Sequence, residues 1–274
     1  MRRLLKSELN RSIWNRNMLL ALSIGVGIGI WHVCQVVIPL SKLLMSSLNY
    51  KNSVDYCPQS LFYSWLGGNT YPMQSYLYFL ILPILASLPY GSSFFEDRKS
   101  GYIKSIYIRA DKRKYLFSKY IAVFVSGGIA VVLPLIVNLA VSGLFLPDLI
   151  PELYGNATLN PTSFLYKLYY THPWRYIVVF LVIDFIFAGL FAGISLTVSF
   201  FVEYRFFTVI ASFFIYIFIY SVCSLTEHTQ YAPNFFLNPA NNENRGISYI
   251  VGAIVLFFLS FVTFYEKGVR EDAY

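Results

Sequence analysis

Between Asn17 and Ser41 the chain runs 25 residues without a charged side chain. About 20 predominantly apolar residues suffice for a helix to cross a ~30 Å bilayer core, so this run reads as a membrane span. Comparable runs follow at Met73–Gly91, Lys119–Leu146, Tyr176–Val202, Phe206–Leu225 and Gly246–Tyr265. Only 13% of the 274 residues are charged, about half the share in an average soluble domain. The fold class expected is therefore an all-α polytopic membrane protein with six transmembrane helices.

The interruptions differ in charge. Residues 1–16 hold five Lys and Arg, and Leu5, Leu9 and Ile13 make a narrow apolar stripe. An interfacial helix is expected there, ahead of a six-helix domain over 17–274. The segment 95–120 holds eight of the 21 Lys and Arg and three of the 14 acids. Such a block cannot lie in lipid and has to face water. With Arg205 and the tail after Tyr265, one side carries 16 of the 21 basic residues. That side is the cytoplasm by the positive-inside rule, which puts both termini inside and the loops 42–72, 147–173 and 226–245 outside. The net charge of +7 then reads as topology and contact with anionic membrane lipid, with no need for nucleic acid. The location expected is a cell membrane, of bacterial cytoplasmic type.

Within the charged segment Tyr102, Ile103, Ile106 and Tyr107 fall on one side of a helix at about 100° per residue, and Lys104, Ser105 and Arg109 fall elsewhere. Ile108 breaks the pattern. The spacing predicts a short amphipathic helix whose apolar side presses on the bilayer or its own helix ends, or on a soluble partner.

This segment resembles the first cytoplasmic loop of the ABC-2-type transporter permeases. In that family an acid shortly before a Gly leads into a short helix, a basic stretch, a Tyr and a Lys that opens the next span. Asp97 stands four residues before Gly101, with Glu96 an alternative. Lys112, Tyr115 and Lys119 match the basic residue, the Tyr and the Lys. Arg109 stands where the family usually has Pro, and Tyr102 where Thr is common. The resemblance covers about a tenth of the chain and gains weight from the six-span layout, which the family shares. It implies a permease subunit of an ATP-driven exporter, paired with a second permease subunit of the same or a related kind. An ABC ATPase subunit would dock on the segment through Glu96, Asp97, Gly101, Tyr102, Ile103, Ile106, Tyr107 and Lys112. ATP and Mg would bind in that partner. The cargo implied is amphipathic: a peptide, drug or lipid. The region 226–245 would dip back as short helices.

Outside this segment the signals are sparser. Asp184 is the one acid or base deep inside a span, expected as a protonated or hydrogen-bonded carboxyl at a helix contact. An ion path through it, in a secondary transporter or channel, is the alternative function. His32 and Gln35 read as hydrogen-bonding groups between helices. Residues 58–66 are expected as a short helix resting on the outer membrane surface, with Leu61, Phe62, Trp65 and Leu66 on one side. Cys34, Cys57 and Cys223 show no metal or disulfide spacing. Asn156-Ala157-Thr158 is a glycosylation sequon, meaningful only in a eukaryotic secretory pathway. There is no phosphate-binding G-x-x-x-x-G-K-[ST] loop, and neither a Ser–His nor a Cys–His arrangement indicates a hydrolase. A transport subunit without its own catalytic, cofactor or metal site is the reading that results.

Overall fold

The computed structural model describes residues 2–47, 60–151, 159, 163–241 and 246–270. Cys57, Pro58 and the sequon at Asn156 lie outside the described residues, as do parts of all three expected outer loops. Every regular element described is helical.

Helix α1 (Arg2–Ile13) precedes α2 (Arg16–His32), which Asn15 caps by accepting a bond from Met18 N at 2.7 Å. A wide π-type turn at Val33–Val37 carries α2 into α3 (Ile38–Ser47). After α4 (Leu61–Ser64) comes α5 (Met73–Ser87). Then α6 (Ser93–Lys99), α7 (Tyr102–Arg109) and the 32-residue α8 (Lys112–Gly143) follow in quick succession. The turn between α6 and α7 rests on Gly101, whose φ of +73° suits a residue without a Cβ. Asp111 caps α8 by accepting from Arg113 N. Helix α9 (Tyr166–Thr171) leads into α10 (Pro173–Val198), opened by a proline at its first position. Beyond it lie α11 (Arg205–Leu225), α12 (Pro233–Phe236) and α13 (Ile247–Phe257), the last running through a second π-type turn into α14 (Thr263–Arg270).

Among the described residues five helical stretches are long and apolar enough to cross a membrane: Arg16–Met45, α8, α10, α11 and Ile247–Arg270. This is a multi-pass membrane protein. The expected second span is shorter than the sequence suggests. Pro89 and Gly91 fall in a turn after α5, whose 15 residues extend about 22 Å. Helix α5 nevertheless packs among α2, α8, α10 and α11.

At the centre α8 packs along α10. More than half of their most apolar stretches is buried (56% and 61%), against 17% for α11. The contact is an exchange of rings for glycines. A Cβ on Gly189 would lie 2.5 Å from the Phe124 ring, and one on Gly128 would lie 2.5 Å from the Phe185 ring. The two rings meet edge to face at 6.0 Å. Small residues allow such close approach where lipid supplies no hydrophobic drive between helices. Tyrosine hydroxyls add interhelical bonds: Tyr78 to Val131 O, Tyr216 to Phe79 O at 2.7 Å, and Tyr120 with Ser260 Oγ at 2.8 Å.

One expectation about a surface segment changes. Leu61, Phe62, Trp65 and Leu66 do share a face, but they are buried inside the fold. Leu61 N donates to Pro147 O, Leu66 N donates to Asn138 Oδ1, and Phe62 meets Trp174 edge to face. The apolar side found a protein surface before a lipid one. The polar loop 226–241 dips back in short helical turns, as expected, and buries Ala232, Phe236, Leu237 and Asn238.

Gly127 tests the packing. A Cβ there would lie 2.7 Å from Ala192 Cβ and 3.0 Å from Ala86 O, whereas one on Gly27 meets nothing within 4 Å. Gly127→Ala is expected to lower stability by about 1–3 kcal/mol, read as a lower thermal midpoint in detergent. Gly27→Ala is expected to leave it unchanged or raise it by up to ~1 kcal/mol.

Candidate functional site

The residues around α6 and α7 form a site that begins on α1. The most buried side chains of α1 are Glu8 and Ser12 rather than the Leu5–Leu9–Ile13 stripe. Glu8 is the single acid in a basic stretch, and it faces inward because two cations wait there. Arg11 Nη1 donates to Glu8 Oε1 at 3.0 Å, and Lys119 Nζ lies 3.2 Å from Glu8 Oε2. Tyr90, in the turn after α5, donates its hydroxyl to the same oxygen at 2.8 Å.

Asp97 is the second anion. Its Oδ1 accepts from Arg11 Nη2 at 2.8 Å. Its Oδ2 accepts from Lys119 Nζ at 2.5 Å and from Tyr115 OH at 2.7 Å. Glu8, Asp97, Tyr115 and Lys119 are buried, and Arg11 is half-exposed. Burial alone would raise the Asp97 carboxyl. The Lys119 charge and the bonds from Arg11, Lys119 and Tyr115 outweigh it and hold Asp97 below the usual carboxylate range. Two acids and two bases thus close a neutral cluster joining α1, the α5–α6 turn, α6 and α8. Part of the segment expected to face water is a protein-buried ion pair.

The other expected coupling residues divide. Glu96 points outward, accepts from Ser92 Oγ at 3.0 Å and pairs with Arg205 Nε at 2.9 Å, which ties α6 to the start of α11. Lys112 Nζ donates to Val269 O at 3.0 Å and so ties α8 to α14. Gly101 makes the turn. Tyr102 is partly exposed beneath the Arg11 guanidinium, 4.8 Å from its ring centroid. Ile103 and Ile106 are buried against the chain itself, and Tyr107 packs edge to face on Tyr115 at 5.9 Å. The amphipathic helix exists, but its most apolar side is already covered. Ile108, which broke the pattern, is 86% exposed.

Asp184 lies apart from this cluster, fully buried in α10. Neither of its oxygens has a hydrogen-bond partner among the described residues, so of the two forms expected, protonated or hydrogen-bonded, the second is not seen there. His32 is buried too, its Nδ1 3.4 Å from Asn138 Nδ2, as expected of a group between helices. Among the described residues no three His, Cys, Asp or Glu side chains gather as a metal site.

Residues 33–274 match a family described as protein of unknown function (DUF2705). The chain belongs to this family. No curated protein and no solved structure matches it. The DUF2705 region takes in Tyr90, Asp97, Tyr115 and Lys119, while Glu8 and Arg11 precede it. Sequence reasoning missed Glu8 and Tyr90 as site residues. The available signal was the lone acid among the bases of residues 1–16, opposite a lysine at the start of an apolar run.

Removing one member of a buried pair strands the other charge, at about 3–5 kcal/mol. Lys119→Met is expected to destabilise by that order, and adding Asp97→Asn is expected to cost less than the sum of the single changes. Detergent unfolding of the single and double variants checks both. Asp97 also sets a pH dependence. Its folded value is depressed, so its contribution is complete above the unfolded value of about 4 and is lost as pH falls through the lower folded value. The gap in thermal midpoint between wild type and Asp97→Asn should hold constant from pH 7 to about 5 and shrink only below about 4.

Proposed function

We propose that this polytopic membrane protein is the membrane-spanning subunit of an exporter of the ABC-2 type, driven by a separate ATPase subunit that docks on α6 and α7. The reading is supported by the way that segment is tied in. Through Asp97 it holds α1 and α8, through Glu96 it holds α11, and α8 in turn holds α14 through Lys112. A push on α7 therefore reaches several membrane helices at once, without any element having to bend first. The basic balance of residues 95–120 supports a cytoplasmic position for this face, where a soluble ATPase has access.

The docking face follows from what α7 leaves uncovered. Ile103 and Ile106 are turned inward, so the surface offered consists of Tyr102, Lys104, Ser105, Ile108 and Arg109. A partner fitting it has an apolar hollow for Ile108 and an acidic rim for Lys104 and Arg109. Glu96 and Asp97 act from behind, by fixing the segment to the helices. Two such chains, or this chain and a related permease, complete the transporter.

Copurification tests this. Ile108→Asp is expected to reduce the ATPase subunit recovered with the permease at least tenfold, about 1.4 kcal/mol, with the permease's thermal midpoint unchanged. Ile106→Asp is expected to lower the midpoint itself, because it puts a charge into the covered side. Full recovery of the ATPase with a stable Ile108→Asp permease would refute the docking face. A cysteine at Ser105 should react with an impermeant thiol reagent only after lysis; labelling in intact cells would reverse the topology. A secondary transporter or channel with Asp184 in its ion path needs no ATPase, so absence of any copurifying ATPase would favour it.

A further inference from the structure

Asp184 stands midway along α10 with both oxygens unpartnered, and no basic side chain among the described residues pairs with it. Tyr78 on α5, Tyr216 on α11 and Tyr249 on α13 are within electrostatic range of it. Each of those hydroxyls is committed elsewhere, to Val131 O, Phe79 O and Phe236 O. A carboxylate buried without a counter-charge is strongly disfavoured, and an ionisable group inside a membrane segment is costly enough to point to a functional site.

One turn along α10, Phe187 meets Phe236 edge to face at 5.2 Å, and Phe236 meets Tyr249 at 5.1 Å. Phe187 and Phe236 are also a wall of a cavity of about 380 Å³ among α10, α11, α12 and α13, lined further by Ile219, Val251 and Gly252. At Gly252 a Cβ would meet Phe187 at 3.4 Å and Phe236 at 3.6 Å, ordinary contact, so a larger side chain there would fill the space. Of the five long apolar stretches among the described residues, the two least buried, α11 and the one containing α13, flank the cavity, which is the side a lipophilic molecule would approach.

We propose that this cavity admits a lipophilic organic cation from the membrane, and that Asp184 supplies the counter-charge behind the Phe187–Phe236–Tyr249 layer. Charge complementarity selects the occupant. A neutral lipid or acyl chain fits the apolar wall but has no use for the carboxylate, whereas a cation is attracted to aromatic faces as well as to the acid. Asp184 is not itself in the cavity lining, so a cation in the cavity reaches it only if Phe187 or Phe236 rotates. The proposal names the cargo class of the exporter and rests on that reading for transport, but binding itself requires no ATPase, so the two fail separately.

The test uses the full chain in lipid nanodiscs and tetraphenylphosphonium as the probe, counted as the part displaced by excess unlabelled probe. Wild type is expected to bind saturably, Asp184→Asn at least tenfold more weakly, and Asp184→Glu within about threefold of wild type. Gly252→Leu, which fills the cavity and leaves the acid, is expected to lose at least tenfold. Triphenylphosphine oxide, neutral and similar in bulk, is expected not to compete. Absence of saturable binding by wild type, unchanged affinity in either Asp184→Asn or Gly252→Leu, or equal competition by the neutral compound would each overturn the proposal. If Asp184→Asn does not yield a monodisperse protein, Gly252→Leu and the neutral competitor decide.

Discussion

The contact between the Lys119 ammonium and the Asp97 carboxylate, 2.5 Å long and buried, is the interaction on which this end of the molecule depends. Taking two charges out of water is expensive, and their attraction repays it only when the remaining valences are filled. Here Tyr115, Arg11, Glu8 and Tyr90 fill them. The cluster is closed in the sense that no charged member can leave without stranding another. What it secures is arrangement more than net stability. It admits one way of laying α1 across the base of α8 and one angle at which α6 leaves the turn after α5.

Much of this was legible in the chain, and the limits are physical. Long uncharged runs announce membrane helices because the bilayer sets one length scale for all of them, and α2 and α8 begin at capping side chains, Asn15 and Asp111, while α10 begins at a proline. The period of Tyr102, Ile103, Ile106 and Tyr107 correctly places a helix. Periodicity reports which side of a helix shuns water, however, and not what covers that side. Ile103 and Ile106 were therefore readable as a docking surface, and only the fold shows them covered. The same holds for Leu61, Phe62, Trp65 and Leu66. Glu8 and Lys119 lie 111 positions apart, and no local pattern links a lone acid to a distant lysine. Lys119 read as the opening of a span because a buried cation is intelligible only beside its anions.

Two kinds of buried charge thus coexist. Near the charged segment the acids are saturated with partners and serve position. Within α10 one acid has none among the described residues. The contrast separates an electrostatic problem solved within the chain from one that the described residues leave open. The inward-turned loop around α12 comes close to the second, since Phe236 packs on Phe187, one turn along α10 from Asp184.

The exchange of Phe124 for Gly189 and Phe185 for Gly128 has a mechanical meaning. Each ring occupies a notch that only a hydrogen side chain leaves open, and the two notches lie on opposite partners. Sliding α8 along α10 by even one residue would drive a ring into backbone, and rotation would do the same. The pair is a splined shaft. Helix α8, 32 residues and about 48 Å long, is gripped at one end by the charge cluster and carries α10 with it as one stiff body. A displacement applied at Lys119 would be expressed at the far end as tilt of the whole shaft, while the loosely held α11 and α13 would have to take up the difference. The Phe187–Phe236–Tyr249 contacts, which join α10 to α12 and α13, span the boundary between the shaft and those looser neighbours.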